Sequence, residues 1–369
     1  MLVFLAFLVV QTVAAVSFPP PTGPYHVGYT QHLFNKTIPN SHEASLNASS
    51  FLLATIYYPT LTVPIPGGNT APYLDPTTAK LWGNAFQFSE GSLQNLTTWN
   101  VLEAPFLSDT TYGVSQKPTI IFSPGAGENA IMYNALNSEL ASQGYTVVAI
   151  DHPGEAPYLQ LPDGLQGVYG IDINLPWNLT LATLVYNTRI SDILSTINHL
   201  FPTYVSTIAA PFNTTHYLTI GHSLGGAAAI GALALTNSVL GGVNLDGVFI
   251  ESPIHTKKPA LLLGSAEHTS TNDPSWPAFS ANQSGWYQWL NVAGAEHQNF
   301  ADLGDWVDLQ GLRNLTNTPS LGVIWGPRMD FVVRTLVGRF FEFVLGEEKW
   351  VSLPEEAFPE VEVIDGSTA

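Results

Sequence analysis

The strongest indication of the fold is the segment Tyr217-Leu218-Thr219-Ile220-Gly221-His222-Ser223-Leu224-Gly225. Four residues typical of a buried strand precede a Gly-x-Ser-x-Gly motif, and an Ala-rich segment of helical character follows it. In such a motif the serine sits on a sharp strand-to-helix turn, and glycines flank it because side chains there would clash with neighbouring backbone. The turn exposes the hydroxyl and places the next N–H at a helix start, where negative charge is stabilised. We predict Ser223 as a catalytic nucleophile and the Leu224 amide as one oxyanion donor; the alternative is a glycine-rich helix start that only packs on a sheet.

The alternation of predicted strands and helices around this motif indicates an α/β fold. Short apolar runs rich in β-formers alternate with longer stretches of helical character, which is typical of βαβ crossovers and a mostly parallel sheet with helices on both faces. The predicted strands are Thr119–Phe122, Thr146–Ile150, Tyr217–Ile220, Val243–Leu245, Ala260–Leu263 and, more weakly, Trp289–Val292. The predicted helices are Met132–Ser142, Leu181–Leu200, Leu224–Thr236 and Phe331–Leu345. With the Gly-x-Ser-x-Gly turn, this order indicates the α/β-hydrolase fold.

We expect one α/β domain over residues 18–369, with a strand around Leu52–Tyr58 near its start. Three stretches rich in Pro, Gly or Asn interrupt the alternation and read as insertions or loops: 59–117, 153–178 and 268–285. The last two leave the carboxyl ends of predicted strands, where α/β sheets build their sites. They are candidates for a lid or an acyl pocket, with plain surface loops as the alternative.

A second oxyanion donor is expected where the first strand of the alternation ends, in Phe122-Ser123-Pro124-Gly125-Ala126-Gly127. Small residues there let the backbone approach a substrate closely. Ala126 is the best-placed amide, and a plain Pro-Gly turn is the alternative.

A catalytic histidine should follow the serine and acid in the chain order of this fold. Only His255, His268 and His297 come after Ser223. His297 lies in a loop between the weak last strand and the final helix, which is the usual place for the base. His268 is the fallback.

The acid that orients the histidine is less determined by position. Asp246 ends the strand Val243–Leu245 and is followed by Gly247, so its side chain would project at the carboxyl edge of the sheet. Glu267 and Asp273 follow the next strand, where many members of the fold carry their acid. Position alone leaves Asp246 and Asp273 nearly equal, and Asp302 lies too close in sequence to His297.

Composition narrows the class of function. The 369 residues are 45% hydrophobic and 11% charged, and the formal net charge is −18, which disfavours nucleic-acid and anionic-lipid partners. The absence of cysteine excludes thiol catalysis and thiolate metal sites. Residues 1–17 resemble a secretory signal, with cleavage expected after Ala15 or Ser17. The chain carries seven Asn-x-Ser/Thr glycosylation sequons, at Asn35, Asn47, Asn95, Asn178, Asn213, Asn282 and Asn314.

Together, these motifs resemble the secreted platelet-activating-factor acetylhydrolases and their microbial relatives. The resemblance runs from Gly23–Gly28 and Tyr57–Pro59 through Phe122–Gly125, Ala141–Tyr145, Ala149–His152 and Arg189–Asp192 to Gly221–Gly226, Asn244–Gly247 and Gly294–Asp302. It implies Ser223 as nucleophile, Asp246 as acid and His297 as base, with the Ala126 and Leu224 amides as oxyanion donors. The chain departs from the animal enzymes in having Pro124-Gly125 where they have His-Gly.

The expected function is that of a secreted serine carboxylic-ester hydrolase, which by this resemblance removes short sn-2 acyl groups from phospholipids without a metal or organic cofactor. We expect a small-molecule or lipid ester as the substrate, no nucleic-acid partner, and transient contact with a lipid interface as an open option. A general short-chain or cutinase-like polyester esterase is one alternative. A non-catalytic binding protein on a hydrolase scaffold is the other.

Overall fold

The computed structural model describes residues 16–36, 51–65, 67–170, 178–250, 254–313, 318–350, 353 and 355–367. Within these residues a 12-stranded sheet forms the centre of the molecule. Eleven strands run side by side in this order: β1 (Val16–Ser17), β5 (Leu96–Leu102), β2 (His26–Asn35), β3 (Phe51–Thr60), β7 (Thr146–Asp151), β6 (Thr119–Ser123), β10 (Tyr217–His222), β11 (Val239–Leu245), β12 (Ala260–Ser265), β13 (Tyr287–Val292) and β14 (Val361–Gly366). β4 (Thr70–Pro72) pairs with β5, and β8 (Tyr158–Leu159) pairs with β9 (Val168–Tyr169) in a separate two-stranded sheet.

The six strands predicted from residue 119 onward are all present and form the parallel centre of the sheet, from β7 through β13. Antiparallel strands flank this centre, with β3 pairing with β7 on one side and β14 pairing with β13 on the other. Because the central strands are parallel, their carboxyl ends all lie at one edge, which is where α/β folds place their functional residues.

The four predicted helices are present, with shifted ends. The helices are α1 (Pro76–Ala85), α2 (Asp109–Tyr112), α3 (Asn134–Ser142), α4 (Leu179–Ser195), α5 (Phe201–Ile208), α6 (Leu224–Leu235), α7 (Ser275–Ala281), α8 (Leu303–Leu309) and α9 (Gly326–Leu345). A π-helical turn over Thr196–Leu200 joins α4 to α5, so the helix predicted to end at Leu200 continues past it. The final helix begins five residues earlier than predicted, at Gly326, with Pro327 in its first turn.

Two hydrophobic clusters cover the two faces of the sheet. In β6 the side chains of Ile120 and Phe122 belong to one cluster, together with α3 and α9, whereas Ile121 belongs to the other, together with α4 and α6. β7 and β12 divide their apolar residues between the clusters in the same alternating way. Both faces are therefore buried, as the uninterrupted apolar runs of these strands indicated.

The stretches read as insertions contain more regular structure than loops. Segment 59–117 holds α1, α2 and β5, and β5 runs parallel to β2 at Val27↔Asn100, so this stretch extends the main sheet. Segment 153–178 contains the β8–β9 hairpin, and its residues 171–177 lie outside the described part. Segment 268–285 contains α7, whose Trp276 is fully buried, so this part belongs to the core.

The predicted signal covers residues 1–17, of which 1–15 lie outside the described residues, and Val16 and Ser17 form β1 beside β5. None of the described helices is long and apolar enough to cross a membrane.

Candidate active site

Ser223 lies on a strained turn between β10 and α6. Its φ of 54° and ψ of −129° are unusual for a residue with a side chain, and its N–H donates to Leu245 O at 2.8 Å. The flanking glycines are required sterically: a Cβ at Gly221 would lie 2.4 Å from backbone atoms of Gly225, and a Cβ at Gly225 would lie 2.2 Å from Ser123 O. The backbone thus holds Ser223 as the motif predicted, with its side chain partly exposed.

Ser223, His297 and Asp246 form a continuous hydrogen-bonded chain. Ser223 Oγ lies 2.9 Å from His297 Nε2, and His297 Nδ1 lies 2.7 Å from Asp246 Oδ2. The three residues follow β10, β13 and β11, so all come from the carboxyl edge of the parallel strands. The geometry is that of a nucleophile, a base and the acid that orients the base.

The surroundings of Asp246 and His297 shift the pKa of each side chain in the direction that a general-base mechanism requires. Burial opposes ionisation of Asp246, but hydrogen bonds from His268 and His297 outweigh it and hold the pKa of this carboxyl well below its usual range. Burial alone would lower the pKa of His297, whereas its hydrogen bond and charge interaction with Asp246 raise it above the ordinary histidine value. Asp246 is therefore a carboxylate, which is the form that can stabilise a protonated imidazole at His297.

The two amides predicted as oxyanion donors lie at the start of α6 and in the loop after β6. Leu224 is the first residue of α6, so its N–H belongs to the helix turn that has no intrahelical acceptor. Ala126 is half-buried, between Gly125 and Gly127, whose φ of 76° is in the left-handed region. Below the loop, Arg189 is fully buried and donates to the carbonyl oxygens of Pro124 and Gly125, the latter at 3.1 Å.

A buried polar network supports the same loop and was not predicted from the sequence. Gly125 N–H donates to Tyr133 Oη at 3.0 Å, the Tyr133 hydroxyl donates to Glu128, and His222 Nδ1 lies 2.7 Å from Tyr133 Oη. Since the tyrosine proton goes to Glu128, His222 Nδ1 must carry the proton in its contact with Tyr133. Burial opposes ionisation of Glu128, but hydrogen bonds from His222, Tyr133 and Gln298 lower its pKa to about 2.

His268 and Asp273, the alternatives for base and acid, lie directly behind Asp246. His268 Nδ1 is 2.9 Å from Asp246 Oδ1, and its Nε2 is 2.7 Å from Asp273 Oδ2. Both residues are buried. In this geometry Asp246, not Asp273, contacts His297. Asp302 instead accepts hydrogen bonds from Tyr73 and from backbone amides of α3.

A second series of hydrogen bonds joins a serine, a histidine and an aspartate on the core side of the loop after β6. Ser123 Oγ lies 3.0 Å from His152 Nε2, and His152 Nδ1 lies 2.6 Å from Asp192. Ser123 is fully buried and accepts a hydrogen bond from Arg189. A hydroxyl buried in this way cannot contact a substrate. We therefore interpret Ser123, His152 and Asp192 as residues that stabilise the loop after β6.

The structure describes five of the seven predicted glycosylation sequons; Asn47 and Asn314 lie outside the described residues. Asn35, Asn178 and Asn282 are exposed, and Asn95 is half-buried. Asn213 is buried and its Nδ2 donates to Ser115 O at 2.7 Å. A glycan is attached through this nitrogen, so modification of the buried Asn213 would require the surrounding residues to rearrange.

Comparison with known proteins identifies relatives of this chain in sequence and in fold. The family model described as "Alpha/beta hydrolase family" matches residues 120–363, and the model described as "Platelet-activating factor acetylhydrolase, isoform II" matches residues 10–159. A protein of Arthroderma benhamiae named "Probable 1-alkyl-2-acetylglycerophosphocholine esterase" is 25% identical over 267 residues, which cover 67% of this chain and 66% of that protein. The "Platelet-activating factor acetylhydrolase" of Cavia porcellus is 25% identical over 330 residues, covering 80% of this chain and 71% of that one.

A solved structure, "Ferulic acid esterase from Streptomyces cinnamoneus", superimposes with a TM-score of 0.78 at 25% identity, covering 95% of this chain and all of that one. These findings confirm the predicted fold and the family resemblance. This chain belongs to the alpha/beta hydrolase family and, within it, is a relative of the platelet-activating-factor acetylhydrolases of isoform II.

Proposed function

We propose that this chain is a secreted serine carboxylic-ester hydrolase that cleaves short acyl groups from the sn-2 position of glycerophospholipids such as 1-alkyl-2-acetylglycerophosphocholine. The observation that carries the proposal is the chain of hydrogen bonds from Ser223 through His297 to Asp246. The activities for which the two relatives are named support both the ester-hydrolase class and the lipid substrate.

The mechanism follows from the positions of these groups. Ser223 Oγ attacks the ester carbonyl while His297 Nε2 takes its proton, and Asp246 holds the imidazole in the tautomer with the proton on Nδ1. The negative oxygen of the tetrahedral intermediate accepts from the Ala126 and Leu224 amides, each worth about 10²–10³ in rate. Collapse breaks the ester C–O bond, and His297 gives the proton to the leaving alcohol. Water then attacks the acyl-serine with His297 again as base, which releases the acid and restores the hydroxyl.

The test is hydrolysis of an sn-2 acetyl phospholipid by the purified protein, beside an aryl acetate and methyl ferulate, with Ser223→Ala as the control. We expect Ser223→Ala to fold normally and to lower turnover by about 10⁶. Retention of most activity in that variant would overturn the nucleophile assignment. Labelling by a fluorophosphonate, which reacts with activated serines, separates a hydrolase from a binding protein on the same scaffold.

A second candidate function is a general esterase acting on small soluble esters. The specific observation that favours it is the structural likeness to the ferulic acid esterase over almost the whole chain. Cleavage of methyl ferulate or the aryl acetate, with the phospholipid left intact, would establish this function and retain the same three catalytic residues.

Secretion and glycosylation belong to the same proposal. On expression in a eukaryotic secretory host, we expect glycans at the exposed Asn35, Asn178 and Asn282 before Asn213. Mass spectrometry of glycopeptides from the medium, with the new N-terminus sequenced, tests occupancy and signal cleavage together. A chain retained in the cytosol without glycans would contradict secretion.

A further inference from the structure

His268 bridges the catalytic acid and a second buried carboxylate. Its Nδ1 lies 2.9 Å from Asp246 Oδ1 and its Nε2 lies 2.7 Å from Asp273 Oδ2. Asp246 therefore uses one oxygen for His268 and the other for His297. The result is a five-residue chain that begins at Ser223 and ends at Asp273.

The geometry requires a proton on both ring nitrogens of His268. A carboxylate only accepts hydrogen bonds, so each ring nitrogen must donate. Both carboxylates also have other donors that keep them ionised. Asp246 Oδ1 accepts the Ser265 N–H at 2.7 Å, and Asp273 accepts the Ser275 N–H at 2.7 Å and the Ser275 hydroxyl at 2.9 Å. His268 between them is an imidazolium.

Trp276 holds this cation and the acid's turn in place. Its ring centroid lies 3.7 Å from that of His268, with the planes tilted by 31°, a distance at which an aromatic ring attracts a cation. Its indole N–H donates to Gly247 O at 2.7 Å, next to Asp246. Trp276 is fully buried. Neither His268 nor the Asp246–Gly247 turn can rotate without displacing this ring.

We propose that His268 is a positioning residue for the catalytic acid: as an imidazolium held by Asp273, it directs one oxygen of Asp246 to His297 and partly offsets the charge of Asp246. The proposal rests on the proposed serine-hydrolase function. It assigns His268 no contact with the substrate. Its effect reaches the reaction only through the orientation and charge of Asp246.

The charged groups near His297 and His268 determine how replacing His268 should change the protonation of His297. His297 faces Asp246, Glu128 and His222, with His268 behind Asp246, whereas His268 faces Asp246 and Asp273. In the native chain the His268–Asp273 pair carries no net charge. Replacing His268 by glutamine leaves Asp273 ionised through its Ser275 donors, so the pair becomes negative. The protonated form of His297 is then favoured, and more alkaline solution is needed to produce the free base.

The experiment measures the rate of inactivation by a fluorophosphonate as a function of pH, which needs no knowledge of the ester substrate. This rate falls at low pH as His297 becomes protonated, and the midpoint of the fall reports the pKa of His297. We expect His268→Gln to move that midpoint upward by about 0.5–1 pH unit. The matched double variant His268→Gln/Asp273→Asn restores a pair without net charge, and its midpoint should return toward the native value. A role limited to packing would lower the maximal rate in both variants without this paired shift.

A second measurement uses the native protein and does not depend on folding of a variant. In ¹⁵N-histidine-labelled protein, both ring nitrogens of His268 should remain protonated as the pH rises past the ordinary histidine pKa of about 6.5. A His268 that loses its proton at or below that pH, or a labelling midpoint in His268→Gln that stays in place or moves to lower pH, would overturn the proposal. Failure of the native protein to react with the fluorophosphonate would instead contradict the proposed function.

Discussion

The guanidinium of Arg189 donates to the carbonyl oxygen of Gly125 across 3.1 Å, from the side of the oxyanion loop that faces the core. In a trans peptide the C=O and the following N–H point in opposite directions. Fixing the Gly125 carbonyl against Arg189 therefore turns the Ala126 N–H away from the core. Glu155 holds the guanidinium through contacts at 2.6–3.2 Å, so a buried ion pair sets the direction of the Ala126 N–H, which we propose as an oxyanion donor.

The first prediction concerns the contacts of Arg189 with the loop after β6 and with Glu155. Arg189→Lys keeps the charge but loses the planar fork that reaches Pro124, Gly125 and Glu155 together. We expect kcat to fall by about 10²-fold, comparable with loss of one oxyanion donor, while KM changes little because the donor acts mainly on the transition state. Steady-state kinetics on the aryl acetate measure both constants.

The matched control is Arg328→Lys. Arg328 also pairs with a carboxylate, Glu360, but lies partly exposed at the start of α9. It should leave both constants unchanged. Equal losses in the two variants would show that the Arg189 effect is general destabilisation.

The second prediction follows from the raised pKa of His297. The base must be neutral, so the rate of fluorophosphonate labelling should fall as the pH drops through a midpoint above the ordinary histidine value of about 6.5. In Asp246→Asn the interaction that raises this pKa is lost, so the midpoint should move to lower pH. The same change should reduce kcat by about 10⁴, since the amide no longer enforces the tautomer or stabilises the imidazolium. A native midpoint below that of Asp246→Asn would contradict the assigned acid.

The sequence carried enough local information to predict the serine and the histidine that we propose as the reacting groups. Ser223 was predicted from a strand, two glycines and a helix start, and His297 from its place after the last parallel strand. These signals are short-range, because backbone sterics at a turn depend on the residues in that turn. The choice between Asp246 and Asp273 was open on position alone, since both follow neighbouring strands of the sheet. The structure brings both to one histidine, His268, and only Asp246 reaches His297 as well.

The supporting groups could not be predicted in the same way, because their partners lie far away in sequence. Glu128, Tyr133 and His222 meet only after the β6 loop folds over β10. One signal was available for Arg189. It and Asp192 are the only charged residues in helix α4, and both are buried. Charges on the apolar face of a helix in a chain with so few basic residues indicate a buried partner.

The third prediction tests the Tyr133 network. Tyr133→Phe removes the hydroxyl that accepts from Gly125 and donates to Glu128, and leaves both groups buried without that partner. We expect the free energy of unfolding to fall by about 1–3 kcal/mol. Tyr145→Phe is the control, because Tyr145 is equally buried and its hydroxyl has no hydrogen-bond partner among the described residues. It should be neutral. Urea denaturation measures the free energy of unfolding of both variants. An equal decrease in Tyr133→Phe and Tyr145→Phe would contradict a specific role for the Tyr133 hydroxyl.

The fourth prediction concerns the pH dependence of stability. Asp151 accepts a hydrogen bond from the Ala130 N–H at 2.7 Å, and burial, only partly opposed by this bond and by Arg189, raises its pKa to about 7. The unfolded chain releases the proton near pH 4, whereas the folded chain keeps it up to about pH 7. The stability that this group contributes is therefore full below about pH 4 and is lost as the pH rises to about 7, by at most about 1.4 kcal/mol per pH unit.

Asp151→Asn cannot ionise, and its amide oxygen can still accept from Ala130. Its stability relative to the native chain should therefore rise between about pH 4 and 7 and stay constant above that range. Asp163→Asn is the control, since Asp163 is exposed and its φ of 58° suits asparagine as well as aspartate. Urea denaturation at several pH values measures the difference for each variant. If the difference in the free energy of unfolding between Asp151→Asn and the native chain did not change with pH, the buried carboxyl would already be ionised at pH 4. The Ala130 and Arg189 contacts would then outweigh its burial.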